Sequence, residues 1–387
     1  MKVVVLGAGR VGSAIAIDLA KGAEFEVRVA DRDPRSLERL RAQHGIAGER
    51  VDFSLEGATA RAVAKADLVV SAVPGFLGYR TLRTVLEACK QVVDIAFFPE
   101  DPFGLNDLAK ANGVTALVDC GVAPGMSNLL VGRESARLDR TARVRIYVGG
   151  LPTIRVLPYE YKAGFSPIDV IEEYTRPSRV VEGGELRVKP ALSDLEHIEV
   201  EGIGTLEAFV TDGLRTLLAT IPCPDMAEKT MRYPGHAERM SLLRDSGFFG
   251  AEPIHVDGAS VRPVDVAAAL LFPLWQMHEG DEDVTVMRIV VDGEKNGRPV
   301  HVVYTLADRF DRATETSSMA RTTGYAAAMA VRMLAKGLFR EVGVTPPEVI
   351  GRREDCVQFL LAGLAERGIT YRRTTESIES PPHSGDS

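Results

Sequence analysis

The stretch VVVLGAGRVG, residues 3–12, joins an apolar run to a glycine-rich turn. This spacing is typical of turns that bind the pyrophosphate of a dinucleotide. Gly7 permits a sharp turn out of the strand, Gly9 lets the backbone approach the phosphates, and Gly12 lets the next helix pack closely on the strand. The free N–H groups at the start of that helix then face the phosphates. We therefore predict that a dinucleotide contacts Gly7, Ala8, Gly9, Arg10, Val11 and Gly12.

The residues after the turn favour a dinucleotide site over an ordinary glycine turn. Apolar residues recur at helical spacing over residues 11–19, and a second apolar run over residues 26–30 ends in Asp31. An acid at this place suits the ribose hydroxyls of NAD, whereas Arg32, the next residue, suits the 2′-phosphate of NADP. We favour NAD, with NADP as the alternative.

Further apolar runs occupy residues 51–53, 66–73, 91–96 and 114–119. With the first two runs they give six strands that alternate with helix-like segments. This order predicts an α/β fold, a Rossmann doubly wound parallel sheet. Ligands of such sheets lie beyond the carboxyl ends of the strands. The further cofactor contacts expected there are Asp52, Ala72, Val73, Pro74, Cys120 and Gly121.

Composition limits the classes of function. The chain has 387 residues, of which 45% are hydrophobic and 26% are charged, enough for two cores and therefore two domains. A net charge of −8 argues against a nucleic-acid partner, because phosphate binding needs a basic face. The sequence indicates no signal peptide and no membrane span, so we expect a small-molecule partner and a cytoplasmic location. The four cysteines lack ligand spacing, so we expect reduced thiols and no metal.

The second half of the chain has a different pattern. A loop rich in Gly and Pro over residues 120–128 is interpreted as the exit from the nucleotide domain, with a plain linker as the alternative. Residues 143–317 alternate like the strands of a second α+β domain, and the hairpin at 284–307 predicts a homodimer or higher homo-oligomer. Residues 320–336 form a helix pattern too apolar for a free surface, which we expect to pack on the first domain. Residues 374–387 are polar and predict a flexible tail.

Five motifs carry a resemblance to a known family: DCGVAPG (119–125), YK (161–162) with FS (165–166), TDGLRTL (211–217), MRYPGH (231–236) and MARTTGY (319–325). They resemble the saccharopine dehydrogenase family and, within it, the lysine 6-dehydrogenases. The resemblance implies a Rossmann domain built from both chain ends, 1–124 with about 318–365. It also implies a central α+β domain over 125–317 for substrate binding and oligomerisation, and NAD(P)-dependent oxidation of an amine of an amino acid.

Oxidation of a primary amine requires a group that accepts a proton. An alkyl ammonium group has a pKa near ~10.4 and is mostly protonated at pH 7, so high pH should favour turnover. Asp212 and His236, both in the motifs, are the catalytic candidates for this role. Asp212 could instead hold the ammonium group without moving a proton, and a histidine beside Pro-Gly is more often structural.

The substrate carboxylate requires a cation, and arginine offers a planar fork for it. Arg215 and Arg232 are the candidates, with surface ion pairing as the alternative for each. Tyr161, Lys162 and Tyr233 are further substrate-lining candidates, although Lys162 could be solvated. With the resemblance, these residues favour NAD-dependent oxidation of the ε-amine of L-lysine to the 6-semialdehyde or a cyclic imine. The alternatives are a saccharopine-type or other secondary-amine dehydrogenase and a non-catalytic NAD-binding sensor.

Overall fold

The computed structural model describes residues 1–164, 167–278 and 280–377. Its strands are β1 (Lys2–Leu6), β2 (Glu26–Asp31), β3 (Ala47–Arg50), β4 (Leu68–Ser71), β5 (Gln91–Asp94), β6 (Thr115–Leu117), β7 (Arg140–Pro152), β8 (Ser178–Glu182), β9 (Glu185–Lys189), β10 (Glu196–Val200), β11 (Gly204–Val210), β12 (Met226–Arg232), β13 (Ile254–Val256), β14 (Ala259–Val261), β15 (Asp283–Lys295), β16 (Arg298–Arg309), β17 (Gly343–Thr345) and β18 (Arg372–Ser377). Its helices are α1 (Arg10–Ala20), α2 (Pro34–His44), α3 (Ala58–Val63), α4 (Gly75–Glu87), α5 (Asn106–Ala111), α6 (Met126–Ser135), α7 (Pro167–Thr175), α8 (Leu217–Thr220), α9 (His236–Asp245), α10 (Pro263–Trp275), α11 (Ser318–Ala335), α12 (Pro347–Gly351) and α13 (Glu354–Ala365), with a 3₁₀ turn at Pro102–Leu105. Within the described ranges, no helix has the length and apolar character that a bilayer crossing requires.

Seven parallel strands form the first sheet, in the order β17-β6-β5-β4-β1-β2-β3. Val4, Val69 and Val92 in its central strands are buried, because helices cover both faces of the sheet. The predicted Rossmann doubly wound fold is confirmed.

Two strands of this sheet differ from the prediction. The third strand is β3 at residues 47–50, not residues 51–53, because β3 is the segment that pairs with β2, up to Asp31 beside Arg50. The seventh strand, β17, comes from the C-terminal part of the chain and pairs with β6. Both chain ends therefore contribute to the first sheet.

Helix α11 packs on α1 of the first sheet. Gly324 makes the close approach possible, since an added Cβ would lie 3.3 Å from side-chain atoms of Ala14 and Ile15. Arg332 of α11 also binds Asp18 of α1, with Nη1 2.7 Å from Oδ2 and both side chains buried. The helix thus lies where its apolar sequence led us to expect it.

The second sheet is mixed, in the order β10-β11-β12-β7-β15-β16-β18, with β8 paired to β12 and β9 to β8. The predicted hairpin is confirmed, because β15 and β16 pair antiparallel along their length. Ile146 and Met287 of this sheet belong to the same buried apolar cluster as Leu130 of α6 and Met329 of α11. One continuous core therefore joins the two sheets.

Strand β18 corrects two predictions. Residues 374–377 are not a flexible tail, because β18 pairs with β16, with Thr305 beside Arg372 and Val300 beside Ser377. The same pairing covers the outer edge of β16, so the hairpin at 284–307 does not leave that edge free for another subunit. Assembly into a homodimer or higher homo-oligomer stays a prediction, and residues 378–387 lie outside the described residues.

Candidate functional site

The glycine turn has the geometry that a pyrophosphate requires. Gly7 adopts a φ of +110°, and a Cβ there would lie 2.4 Å from the carbonyl oxygen of Ala72. A Cβ on Gly12 would lie 2.1 Å from the carbonyl oxygen of Gly7. By contrast, no atom of the described chain lies within 4 Å of a Cβ added to Gly9. Gly7 and Gly12 are thus needed for close packing of the backbone. Gly9 leaves open space beside the start of α1, where phosphates bind.

Asp31 lies beside this turn. The backbone N–H of Ala8 donates to Asp31 Oδ2 at 2.6 Å, and that of Asp33 donates to Oδ1 at 2.8 Å. The carboxylate is therefore fixed at the carboxyl end of β2, where ribose hydroxyls are bound in Rossmann folds. Arg32 is exposed beside it. The turn and Asp31 together fit a nicotinamide dinucleotide.

Three other predicted cofactor residues make contacts within the protein. The Arg10 guanidinium donates to the carbonyl oxygen of Met277, so it links the glycine turn to the segment that follows α10. Val11 packs partly buried against the core. Asp52 accepts hydrogen bonds from the backbone and hydroxyl of Ser54, which lower the pKa of this partly exposed carboxyl.

The strand ends place the remaining predicted cofactor residues. Ala72 is partly exposed and Pro74 exposed, but Val73 is buried in the core, so its side chain is not available to the cofactor. Cys120 donates its backbone N–H to the carbonyl oxygen of Asp94, and Gly121 follows it. Burial raises the pKa of the Cys120 thiol well above its ordinary value, so this cysteine packs and does not act as a nucleophile.

Arg215 connects the two sheets through a buried ion pair. Its Nη2 lies 3.1 Å from Asp119 Oδ1 and its Nε 3.2 Å from Asp119 Oδ2, and its Nη1 donates to the carbonyl oxygen of Phe98. The guanidinium also lies 4.8 Å from the ring centre of Phe97. All three donor nitrogens are engaged, so the prediction that Arg215 binds the substrate carboxylate is corrected.

Arg232 is also buried and paired. Its Nη2 lies 2.7 Å from Glu173 Oε2 of α7, and its guanidinium lies 4.7 Å from the ring centre of Tyr161. Its Nη1 donates to the carbonyl oxygen of Met231. Its Nε is buried and has no hydrogen-bond partner among the described residues. The Arg232 guanidinium is thus enclosed by Glu173, Tyr161 and backbone.

Asp212 is held by Arg179 at the end of the second sheet. Each carboxylate oxygen lies 2.9 Å from a guanidinium nitrogen, and the backbone N–H of Arg179 donates to Oδ1 as well. Both oxygens of this carboxylate are thus engaged in an ion pair with one guanidinium. These contacts argue against Asp212 as the group that accepts the substrate proton.

His236 lies in a buried aromatic cluster. Its Nδ1 donates to the carbonyl oxygen of Tyr159 at 3.1 Å, because that oxygen can only accept, so Nε2 accepts from the Tyr174 hydroxyl at 2.9 Å. Burial lowers the pKa of His236 to about 3. Both ring nitrogens are occupied and the ring is neutral, so the predicted catalytic role is replaced by a structural one.

The other predicted lining residues lie around this cluster. Tyr161 is buried, with its ring centre 5.2 Å from that of His236. The Tyr233 hydroxyl donates to the carbonyl oxygen of Pro152 at 2.9 Å. Lys162 Nζ donates to the carbonyl oxygen of Gln276 at 2.9 Å, which fixes the segment after α10. The Phe165 and Ser166 motif lies outside the described residues.

The sequence reasoning missed Glu228. Glu228, Thr230 and Arg232 alternate along β12, so their side chains share one face of the sheet, and all three are buried. Glu228 Oε2 accepts from the Thr211 hydroxyl. Burial raises the pKa of Glu228 to about 7. The signal was the run Glu228-Lys229-Thr230 within a strand, because a buried acid is unusual.

Asp94 is the second buried acid that the prediction did not use. It is the last residue of β5 and is fully buried. Burial raises its pKa from 3.8 to about 8, and nearby Asp119 raises it further. The sequence showed an acid at a strand end, but not that burial would outweigh the nearby Arg215 guanidinium and raise the pKa of Asp94.

Family models match nearly the whole chain. A model described as the saccharopine dehydrogenase C-terminal domain matches residues 121–369, and one described as the saccharopine dehydrogenase NADP binding domain matches residues 3–117. The chain belongs to the saccharopine dehydrogenase family. The predicted family resemblance is confirmed, and the protein is an NAD(P)-dependent dehydrogenase acting on amines.

Three relatives show how far this saccharopine dehydrogenase family member resembles known proteins. Carboxynorspermidine synthase of Vibrio cholerae is 23% identical over 89% of this chain and 91% of its own length. Alpha-aminoadipic semialdehyde synthase of Arabidopsis thaliana is 23% identical, but the match spans 52% of this chain and only 20% of that protein. The structure of a saccharopine dehydrogenase (L-Glu forming) from Saccharomyces cerevisiae superimposes with a TM-score of 0.79 at 19% identity, covering 97% of this chain and 100% of that one. This structural match supports the fold.

Proposed function

We propose that this protein oxidises the ε-amine of L-lysine with NAD. In this reaction a hydride leaves the ε-carbon, and the resulting imine hydrolyses to the 6-semialdehyde or closes to a cyclic imine. Bound NAD supplies the hydride-accepting ring. In this proposal residues 1–124 with about 318–365 hold the cofactor, and residues 125–317 hold the amine.

The proposal depends on the charged residues around β12 and on which of them are already paired. Arg179, Arg215 and Arg232 each bind a protein carboxylate. Of the three, Arg232 has a buried nitrogen without a partner among the described residues. In this proposal the substrate carboxylate binds at Arg232 and the cationic amine at the buried carboxyl of Glu228. This set fits an amino acid with one carboxylate and a basic side chain.

A second candidate is the reductive joining of an amine and an aldehyde into a secondary amine. The Vibrio cholerae relative, named carboxynorspermidine synthase, matches most of both chains and favours this candidate. A saccharopine-type product carries additional carboxylates, whereas the Arg215 guanidinium is buried and already paired with Asp119. A polyamine-type product carries fewer carboxylates and stays the second candidate.

Asp31 supports NAD as the cofactor. A 2′-phosphate would be placed beside a carboxylate that is fixed by two backbone N–H groups, and the two negative charges would repel each other. Arg32 is the residue that would favour NADP, and it makes no such fixed contact with the turn. We therefore keep NAD as the proposed cofactor and NADP as its alternative.

The test is a substrate panel read by the absorbance of the reduced nicotinamide. The full chain is incubated with NAD or NADP and L-lysine, L-ornithine, agmatine or a polyamine between pH 7 and 10. L-Norleucine, which has the same carbon chain without the ε-amine, is the matched control. A reverse reaction contains reduced cofactor, the amines and an aldehyde-bearing amino acid.

The outcomes separate the candidates. Reduction of NAD with L-lysine but not L-norleucine, increasing with pH, supports the proposal. Oxidation of the reduced cofactor only when amine and aldehyde are both present supports the second candidate. Tight NAD binding without any turnover would leave the sensor, the alternative that the sequence left open.

A further inference from the structure

Glu228 lies against Gly213, a glycine of the loop between β11 and α8. A Cβ on Gly213 would lie 2.5 Å from both Cδ and Oε2 of Glu228. The missing side chain therefore makes room for this carboxyl group. Thr211, whose hydroxyl donates to Oε2, also contacts the Thr230 hydroxyl at 2.9 Å, so two hydroxyl groups lie beside the carboxyl.

The position of Glu228 relative to the cofactor follows from the buried ion pair. Gly213 is two residues from Arg215, which binds Asp119. Asp119 directly precedes Cys120 and Gly121, at the carboxyl edge of the parallel sheet where the nicotinamide ring belongs. Glu228 therefore lies beside the junction at which a substrate would meet the ring.

The spacing along β12 suits lysine. Glu228 and Arg232 are four residues apart, about 13 Å along a strand. An extended lysine spans about 7 Å from its carboxylate to its ε-nitrogen, and a hydrogen bond of about 2.8 Å at each end brings the total to a similar length. The backbone positions of Glu228 and Arg232 thus allow a lysine that binds at Arg232 to extend toward Glu228.

Glu228 has no cationic partner among the described residues. The charged groups that face it are acidic, Glu173 on α7 and Asp212 after β11, and both bind arginines of their own. An ionised carboxylate buried without a cation is costly. A cationic ligand would remove that cost. Burial is the largest cause of the raised pKa of Glu228, about 7, and Glu173 and Asp212 raise it further.

We propose that Glu228 receives the reacting ammonium group of the substrate and accepts its proton. This inference rests on the proposed function. The N–H bond of R–CH2–NH3⁺ breaks, and the proton passes to the Glu228 carboxylate, which leaves the neutral amine. The C–H bond then breaks, its electron pair leaves as hydride to the nicotinamide ring, and the nitrogen lone pair forms the C=N bond of the iminium product.

The test compares Glu228→Gln, which keeps the shape and removes the proton acceptor, with Glu207→Gln. Glu207 is a buried acid on the neighbouring strand β11 that accepts backbone N–H groups of Gly235 and Ala237, so it is a structural control. We measure kcat/KM for the amine from pH 6 to 10, NADH binding by fluorescence, and urea unfolding. Glu228→Asp is included as the conservative variant.

The pH profile distinguishes proton transfer from a structural effect. In the wild type, log kcat/KM should rise to about pH 7 and then level off, because Glu228 must be ionised while the ammonium group, with a pKa near ~10.4, stays protonated. In Glu228→Gln only the neutral amine reacts, so log kcat/KM should rise with pH up to about 10. The loss should be about a hundredfold or more at pH 7 and should shrink about tenfold per pH unit. NADH binding should be unchanged.

Several outcomes would overturn the inference. Glu228→Gln with the wild-type profile would do so, and so would loss of the inflection in Glu207→Gln. If Glu228→Gln does not fold, Glu228→Asp provides the test. This variant should keep the inflection of the pH profile near neutral pH at a lower kcat/KM. A wild-type kcat/KM without the inflection would contradict the proposal. A wild type that oxidises no amine shows, before any variant is made, that the proposed function fails and this inference with it.

Discussion

Replacement of Asp94 by Asn should stabilise the protein increasingly as the pH rises. Asp94 lies opposite Ser71 in the parallel register of β4 and β5, and both side chains are fully buried. Ser71 and Ala96 lie near enough to lower the pKa of Asp94 somewhat, but neither carboxyl oxygen has a partner in hydrogen-bond geometry among the described residues. Burial prevails, so the carboxyl keeps its proton in the folded state at neutral pH.

The size of the effect follows from proton linkage. Burial raises the pKa of Asp94 from 3.8 in the unfolded chain to about 8 in the folded protein. Between these values the unfolded state has lost the proton and the folded state retains it, so the free energy of unfolding falls as the pH rises. The slope is about 1.4 kcal/mol per pH unit, which gives about 4 kcal/mol between pH 5 and 8. Asn cannot titrate and avoids this loss.

Urea unfolding of Asp94→Asn and wild type at pH 5, 6.5 and 8 measures this difference. The fluorescence of Trp275 is a suitable probe, because it is the one tryptophan in the sequence and is fully buried. Asp107→Asn is the control, because it makes the same change at an exposed position of the first domain. A difference between Asp94→Asn and wild type that stays constant within about 1 kcal/mol from pH 5 to 8 would refute the reasoning.

Three further predictions concern the cofactor turn and the junction of the sheets. Gly9→Ala should fold normally and lose affinity for NAD in a fluorescence titration. Gly12→Ala should instead unfold at a lower urea concentration, because a Cβ on Gly12 would lie 2.1 Å from a backbone oxygen, whereas a Cβ on Gly9 meets no such atom. Asp31→Ser should raise the kcat/KM ratio of NADP to NAD by about tenfold or more, since one full charge repulsion is removed; an unchanged ratio would exclude Asp31 from cofactor choice. Arg215→Met should lower the free energy of unfolding by about 3–5 kcal/mol, and Asp119→Asn added to it should restore part of the loss, because the first change leaves a buried carboxylate unpaired.

The parallel sheet could be predicted because its signals are local. The spacing of Gly7, Gly9 and Gly12 reports backbone geometry, and the apolar strands report burial on both faces. The strands that were misplaced carry little local signal. β3 has the sequence Ala-Gly-Glu-Arg and β18 is polar, so each is a strand only because a neighbouring strand pairs with it.

The candidate site was predicted less well, because charge pairing depends on contacts distant in sequence. The sequence identified Arg215 and Arg232 as candidates for binding the substrate carboxylate, but their partners Asp119 and Glu173 are 96 and 59 positions away. Glu228 was missed for the same reason, because only the fold shows that this buried acid forms no ion pair with a described residue. A sequence shows which charges exist, and only the fold shows which ones remain unpaired.

The buried pair of Arg215 and Asp119 explains how the two halves of the site are held in register. Such a pair adds little net stability compared with apolar residues of the same volume. Its contribution is to fix the positions of the two segments that it joins. Arg215 belongs to the loop that carries Gly213, and Asp119 directly precedes Cys120 at the edge of the parallel sheet. The pair therefore fixes the acid on β12 relative to the nicotinamide end of the sheet, and hydride transfer is sensitive to errors of about 1 Å in such a distance.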